Sequence, residues 1–219
     1  MVGCKLVGVK LLLSLYNYKI MNEDKIKESE FFLTKLKNYQ FEIEHFDYYF
    51  SAFLSSCRSI SDHLLEHYNQ KFSLGIGSKE KLTQWKFFEE ATKKENPDAL
   101  HFIEWYTREL QKNKQDPIWV ELNNNRNSNI HKKLLKSDIE GAEIIVDGVL
   151  HSTFQRAKGV PREDIEDVIK HHVSEIDGSI SIKLRFEVRG LESQDGYDVC
   201  QKYLEKMKNF SKEAESKFG

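Results

Sequence analysis

The hydrophobic positions in the first part of the chain recur at the spacing of α-helices. Apolar residues at intervals of three and four predict an amphipathic helix from Asp24 to about Tyr39 and a longer one from about Glu44 to Tyr68. The longer helix carries a largely apolar stripe that consists of Phe46, Tyr49, Phe50, Phe53, Leu54, Cys57, Ile60, Ser61, Leu64 and Tyr68. A stripe of this length is typical of a central helix in a bundle.

The starts of three further helices are marked by capping residues and by proline. The stretch KFSLGIGS interrupts the helical pattern, and Ser78 at its end predicts the N-cap of a third helix. Asn96-Pro97 and Asp116-Pro117 each place a capping side chain before a proline, whose missing N–H group is not needed at the first helical position. We therefore predict that two more helices begin at these prolines.

Beyond Lys136 the hydrophobic period changes from that of a helix to that of a strand. The segment AEIIVDGVLHSTF is divided by Asp147-Gly148, a dipeptide that suits a tight hairpin turn because both positions tolerate positive φ. From Ile180 to Val188 apolar and polar residues alternate strictly, which is typical of a half-buried strand. Between them PREDIEDVIKHHV predicts a short helix, and a last amphipathic helix begins at about Asp195.

These elements predict a mainly α fold. We expect a helical bundle with a small antiparallel β insertion of about three strands, at about residues 142–190, before the C-terminal helix. No linker or internal repeat divides the chain, so residues 21–219 are predicted to form a single domain.

The first twenty residues are apolar with a little positive charge. Their uninterrupted apolar core is too short to span a bilayer, and no cleavage site of the signal-peptide type follows it. We interpret residues 1–20 as an N-terminal extension, either an over-extended start or an added strand. No association with a membrane is expected.

Charge and cysteine content exclude several classes of protein. The chain has 33 Lys and Arg against 35 Asp and Glu, so it does not bind nucleic acid by bulk charge and would need a local patch. Cys4, Cys57 and Cys200 lie far apart and form no CxxC pair, which indicates neither a disulfide framework nor a zinc site. We therefore expect a cytoplasmic protein without a metal or another cofactor.

One polar stretch, NNNRNSNIHKK at residues 123–133, lies where the helix that begins at Pro117 should still be running. In such a helix Asn127 and His131 are four residues apart and share a face, with Arg126 beside them. Asparagine is a mediocre helix former, and locally inconsistent stretches are where functional sites are expected. The combination of a cation, an amide and an imidazole suits an RNA phosphodiester.

Each of these side chains can serve a step of phosphodiester cleavage. His131 can move a proton to or from the 2′-hydroxyl or the leaving 5′-oxygen near neutral pH. Arg126 can hold the non-bridging oxygens with its planar guanidinium, and Asn127 can orient the histidine or a phosphate. A short positive approach for the RNA backbone is formed by Lys132, Lys133 and Lys136. The alternative is a solvated helix end, with His131 near the C-terminal dipole.

The pattern R-N-x-x-x-H, formed by Arg126, Asn127 and His131 near the end of a predicted bundle helix, resembles the signature of the HEPN superfamily. The upstream segment FDYYFSAFLSSCRSISDHLLEHY is similar to the long aromatic-rich helix of prokaryotic members of that superfamily. The resemblance covers about residues 24–136 together with the last helix. The chain departs from the simplest pattern in its strand-bearing insertion, which could cover the cleft or build another interface.

This resemblance implies a fold, an activity and partners. HEPN ribonucleases are all-helical bundles that form dimers with two copies of the motif in one cleft. They cut RNA without a metal and leave a cyclic phosphate, and many are toxins or defence effectors. On this basis we expect a metal-independent endoribonuclease that forms a homodimer, acts on RNA and has an antitoxin protein as a partner. The alternative is a non-catalytic HEPN-like module that binds RNA, a nucleotide or a protein, with the strand insertion as its working surface.

The long helix offers a second set of polar candidates. Arg58 can contact the substrate as part of a second cluster, or it can form an intrahelical ion pair with Asp62. His63 and His67 are also four residues apart, but no third ligand of the right kind accompanies them, so no metal site is predicted.

Other histidines and the large aromatic residues are predicted to be structural or solvated. His171 and His172 are adjacent, point to different faces of a helix and are expected to be solvated. Four aromatic residues occur at helical spacing and are predicted to belong to the core rather than to a base-stacking surface: Trp85, Trp105, Tyr106 and Trp119.

Overall fold

A computed structural model of the protein describes residues 23–37, 45–77, 80–132, 138–157, 160–188, 190–191 and 194–219, without the side chains of residues 128–132, 138 and 162. Within these ranges the protein has seven helices and a three-stranded antiparallel sheet that precedes the last helix, which confirms the predicted fold class. The predicted N-terminal extension at residues 1–20 and the predicted cap Ser78 lie outside them.

The elements follow one another in a simple order. The helices are α1 (23–37), α2 (Phe46–Lys71), α3 (Gln84–Lys93), α4 (Pro97–Asn113), α5 (Pro117–Lys132), α6 (Arg162–Ser174) and α7 (Gly196–Phe218). The strands are β1 (Asp138–Val146), β2 (Val149–Gln155) and β3 (Ile180–Glu187). Helix α6 lies between β2 and β3 in the chain, as predicted.

Two of the three helix starts predicted from capping residues and proline are confirmed. Asn96 caps α4, because its side chain accepts a hydrogen bond of 3.0 Å from the backbone N–H of Ala99, and Pro97 occupies the first helical position. Helix α5 begins at Pro117. The predicted cap of α3 was wrong: Thr83, five residues beyond Ser78, accepts a hydrogen bond of 3.1 Å from the backbone N–H of Lys86 and caps that helix.

The chain divides into two compact units, and α1, α2 and α7 each contribute residues to both. The described residues of the first unit are 23–28, 56–77, 80–116 and 206–219. Its core is aromatic: the rings of Tyr68 and Phe102 stack with centroids 4.0 Å apart, and those of Trp105 and Phe210 with centroids 5.3 Å apart. Tyr68 and Phe102 belong to the most completely buried large side chains of the described chain.

The second unit contains the sheet, which has the strand order β2-β1-β3. Along β3 buried residues alternate with partly exposed ones, as its sequence predicted. Phe186 of this strand packs edge-on against Phe46 and Phe50 of α2, with centroid distances of 4.8 and 5.7 Å. The sheet therefore shares a hydrophobic core with the first turns of α2 rather than forming a separate appendage.

The hairpin between β1 and β2 turns at Asp147 and Gly148, which have φ values of +51° and +82°. Positive φ at both positions is what the type I′ turn of a two-residue hairpin requires, so the predicted turn is confirmed. The register of β2 shifts next to it: Ile144 faces Ser152 while Ile145 faces Leu150, which leaves His151 as an extra residue. This β-bulge lies on β2, which is one of the two outer strands of the sheet.

Candidate functional site

Helix α5 runs without a break through the asparagine-rich stretch and ends at Lys132, which confirms the helix predicted there. The side chains of two asparagines form hydrogen bonds with the backbone of this helix. The Nδ2 group of Asn123 donates to the carbonyl of Trp119 at 2.8 Å, and that of Asn125 donates to the carbonyl of Glu121 at 2.8 Å. Each amide thus bonds to the carbonyl four residues earlier, one of the local side-chain patterns open to short polar residues in helices.

One face of α5 is anchored in the core of the second unit. Trp119, Leu122 and Asn125, spaced three residues apart, are all buried, and the ring of Trp119 packs edge-on against Tyr203 with a centroid distance of 5.5 Å. Asn125 therefore occupies a core position, where the hydrogen bond of its amide offsets the cost of burying a polar group. The anchoring holds the polar end of α5 in a defined orientation.

Gly190 brings the segment after β3 against the same helix. A Cβ atom at this position would lie 2.6 Å from the carboxyl group of Glu121, and the backbone adopts a φ of +89°. Only glycine adopts such a backbone at little cost, and any other residue would also force the carboxyl group of Glu121 to move.

Arg126 and Asn127 are in contact on α5. The Nη1 group of Arg126 donates to Oδ1 of Asn127 at 3.3 Å, and Asn127 is exposed while Arg126 is half-buried. The Nε atom of Arg126 is buried, and no described residue accepts a hydrogen bond from it. A buried donor without a protein partner is uncommon in folded proteins, so the guanidinium keeps hydrogen-bonding capacity that the described chain does not use.

His131 lies four residues after Asn127 in the same helix, a rise of about 6 Å along its axis. The structure thus confirms that residues 126, 127 and 131 share the last turns of one helix. The side chains of His131 and Lys132, and the whole of Lys133 and Lys136, lie outside the described part of the chain. Their predicted roles in catalysis and in RNA binding stay predictions.

Arg58 belongs to α2 in the first unit, where its Nη2 atom lies 3.5 Å from Oδ1 of Asp62. This distance confirms the ion pair that the four-residue spacing predicted. Asp62 is largely exposed, so the pair contributes little to stability. The role of Arg58 as a substrate contact stays a prediction.

The two histidines of α2 lie in different surroundings. His67 is buried, and this burial, with a smaller contribution from Lys71, lowers its pKa from 6.5 to about 4. His63 is half-buried, and its pKa is also lowered, mainly by burial and then by Lys25. In the parts of the chain that the structure covers, no group of three His, Cys, Asp or Glu side chains converges in a way that could hold a metal ion.

His171 is exposed, as predicted, and lies 3.5 Å from Glu175. The prediction was wrong for His172, which is half-buried and has its Nε2 atom 2.9 Å from the hydroxyl of Ser152. The cause is the position of α6, which brings His172 against β2, so its ring also contacts Phe154 at a centroid distance of 5.1 Å.

Three of the four large aromatic residues that were predicted to belong to the core are buried, and the fourth is exposed. Trp105, Tyr106 and Trp119 are buried in the core, as predicted. The prediction was wrong for Trp85, which is 74% exposed and lies one turn from Phe88, itself 40% exposed. Both line a cavity of about 500 Å³ formed by residues of α3 and α4. Helix α3 buries Phe87 and Ala91 instead, so its apolar residues occupy two faces. The sequence shows these two faces but does not show which of them is buried.

No protein-family model, no curated protein and no solved structure matches the chain. Among the described residues, no helix is both long enough and apolar enough to cross a bilayer.

Proposed function

We propose that the protein is a metal-independent endoribonuclease of the HEPN type that acts in the cytoplasm as a homodimer. The observation that carries the proposal is the unbroken course of α5, which keeps Arg126, Asn127 and His131 on one helix end. The contact between Arg126 and Asn127 adds to it, because it orders a guanidinium and an amide side by side. The R-N-x-x-x-H pattern supplies the likeness to HEPN ribonucleases.

The reaction in this proposal is an internal transfer at phosphorus. His131 accepts the proton of a ribose 2′-hydroxyl, whose oxygen attacks the adjacent phosphorus, and the bond from phosphorus to the 5′-oxygen breaks. The leaving oxygen takes up a proton, so the products end in a 2′,3′-cyclic phosphate and a 5′-hydroxyl. In a homodimer with two motifs in one cleft, the second His131 supplies that proton.

Arg126 and its neighbours stabilise the charge that develops during this transfer. The guanidinium can bind two non-bridging oxygens with parallel hydrogen bonds, which is stronger than contact with a point charge. Asn127 fixes the guanidinium through the bond to its Nη1 group. The backbone of the RNA is held by the cations of Lys132, Lys133 and Lys136. An antitoxin protein that covers this cleft would inhibit such an enzyme.

A second function is favoured by β2, one of the two outer strands of the sheet. Val149 and Leu150 of β2 are 70% and 58% exposed, and this strand pairs with β1 alone among the described strands. An edge strand with exposed apolar residues is a surface to which another polypeptide can add. A non-catalytic module that binds a protein, or RNA, through this insertion is therefore the alternative.

Incubation of RNA with purified protein in EDTA tests the proposal. The wild type and His171→Ala, which removes an exposed histidine on α6, should cleave the RNA, while His131→Ala should not. Circular dichroism of the three proteins should be the same, so that a loss of cleavage is assigned to the missing imidazole and not to unfolding. Cleavage by His131→Ala at the wild-type rate, or no cleavage by the wild type, would contradict the proposal.

A further inference from the structure

Trp85 and Phe88 form an exposed aromatic pair on α3. Their ring centroids are 6.3 Å apart and the ring planes are inclined by 33°, so the two rings lie roughly side by side. Because Trp85 is 74% exposed, its indole adds little to the core that α3 builds through Phe87 and Ala91. Neighbouring exposed aromatic groups are typical of surfaces that bind a ligand or another macromolecule.

The cavity beside this pair has the size and lining of a small-molecule site. Its volume is about 500 Å³, within the range of roughly 300–1,000 Å³ that is usual for ligand pockets. Ile103, which is almost fully buried, contributes an apolar wall, and the amides of Gln84 and Gln111 contribute donors and acceptors. The residues of this site all belong to the first unit.

The charges of the lining favour an uncharged group of the ligand inside the cavity. Glu104 and Arg108 both line the cavity and are four residues apart on α4, so the lining carries one charge of each sign. A ligand with a strong charge of either sign would therefore gain from one of these side chains and be repelled by the other. A flat, uncharged group with polar edges meets no such conflict.

We propose that this cavity binds a single unstacked nucleobase, which lies against Trp85 and Phe88 and bonds through its edge to Gln84 or Gln111. Aromatic side chains bind any base through its π-face, and amides can pair with both donors and acceptors on a base edge. The base belongs to a single-stranded RNA or to a free nucleotide. The inference rests on the proposed function, which makes RNA the substrate, and gives that function a site for substrate bases.

The intrinsic fluorescence of the protein reports on this site directly. Of the three tryptophans, Trp105 and Trp119 are only 2% and 4% exposed, so added ligand quenches chiefly Trp85. The probes are adenosine monophosphate, a single-stranded oligoadenylate RNA and an abasic oligomer of the same length. The protein carries His131→Ala, so that the RNA stays intact during the titration.

Saturable quenching is expected with the monophosphate, with the oligoadenylate or with both, and none with the abasic oligomer. Quenching by the oligoadenylate alone identifies an RNA strand as the source of the base, and quenching by the monophosphate alone identifies a free nucleotide. Quenching by both probes shows that the site accepts a base from either source. By calorimetry Trp85→Leu should weaken binding about tenfold, a typical effect of losing one stacked base. Tyr48→Leu, which removes an exposed aromatic group of α2 outside the cavity, should leave it unchanged.

Equal quenching by the abasic oligomer, no quenching by either base-containing probe, or unchanged affinity of Trp85→Leu would overturn the inference. These outcomes are separable from the fate of the ribonuclease proposal. Cleavage of RNA by the wild type in EDTA, together with no quenching of the His131→Ala protein, refutes the base site alone, and quenching without cleavage refutes the ribonuclease alone.

Discussion

The hydroxyl of Tyr68 on α2 donates a hydrogen bond of 2.9 Å to the backbone carbonyl of Ala214 on α7, across 146 positions of sequence. Both residues are buried in the first unit. Removing only the hydroxyl by Tyr68→Phe keeps the stacked ring and loses this bond, so we expect the free energy of unfolding to fall by about 0.5–1.5 kcal/mol. Urea denaturation measures the loss, and an unchanged midpoint would show that the bond adds nothing to stability.

Gly196, at the start of α7, lies against Phe186 at a distance that excludes any side chain. A Cβ atom there would lie 2.4 Å from the carbonyl oxygen of Phe186 and 2.5 Å from its ring. The carbonyl belongs to the backbone of β3 and cannot rotate away, so Gly196→Ala should destabilise the protein by about 1–3 kcal/mol. Thermal or urea denaturation measures the change.

Gly77→Ala is the matched control for that substitution. Apart from its chain neighbours, no atom of the described residues lies within 4 Å of a Cβ at Gly77, so the same change of residue should alter the free energy of unfolding by less than about 0.5 kcal/mol. Equal effects of the two substitutions would show that the loss of stability at Gly196 comes from replacing a glycine as such and not from a clash with Phe186.

Much of this fold was predicted from features that involve only residues close together in the sequence. The cap at Asn96 and the turn at Asp147 and Gly148 each involve residues within a few positions, so the sequence alone contains the physical cause. The alternation along β3 is equally local, since it follows from a strand with one buried face.

The exposure of Trp85 could not be predicted in this way, because α3 has apolar residues on two faces. Which face is buried depends on how α3 packs against other elements such as α4. In the structure the buried face carries Phe87 and Ala91. For the candidate site, the sequence predicted the helix and its spacing. It did not predict that the side chain of Asn125 is buried and donates a hydrogen bond to the carbonyl of Glu121. Nor did it predict the hydrogen bond between Arg126 and Asn127.

Stability should decrease as the pH falls, through His67. Its pKa is about 4 in the folded protein and 6.5 in an unfolded chain, so between these values the unfolded chain binds one more proton there. Stability is therefore full above about pH 6.5 and falls towards pH 4, by at most about 1.4 kcal/mol per pH unit, since the two states differ by at most one bound proton at His67.

Urea denaturation at several pH values tests this effect against His67→Gln. The variant lacks the titrating group, so its free energy of unfolding should depend less steeply on pH between about 4 and 6.5. His171→Gln, at an exposed position, should keep the wild-type slope. Parallel curves for His67→Gln and the wild type would refute the role of His67.

Arg126→Lys should lower the rate of RNA cleavage at least about tenfold while the fold is retained. Lysine keeps the positive charge but cannot form two parallel hydrogen bonds to a phosphate, nor reproduce the geometry of the bond to Asn127. Arg156→Lys is the control, since Arg156 follows β2 and lies 3.5 Å from Glu140. A cleavage rate of Arg126→Lys equal to that of Arg156→Lys would place the transition-state contacts elsewhere.

The most direct test of the central claim is the chemistry of the RNA ends produced by the wild-type protein in EDTA. Transfer through the 2′-oxygen with His131 as the proton acceptor predicts 2′,3′-cyclic phosphate and 5′-hydroxyl ends, seen as products that polynucleotide kinase can phosphorylate directly. Products with 5′-phosphate ends, or RNA that stays intact, would contradict the claim that the end of α5 is the active site of a metal-independent ribonuclease.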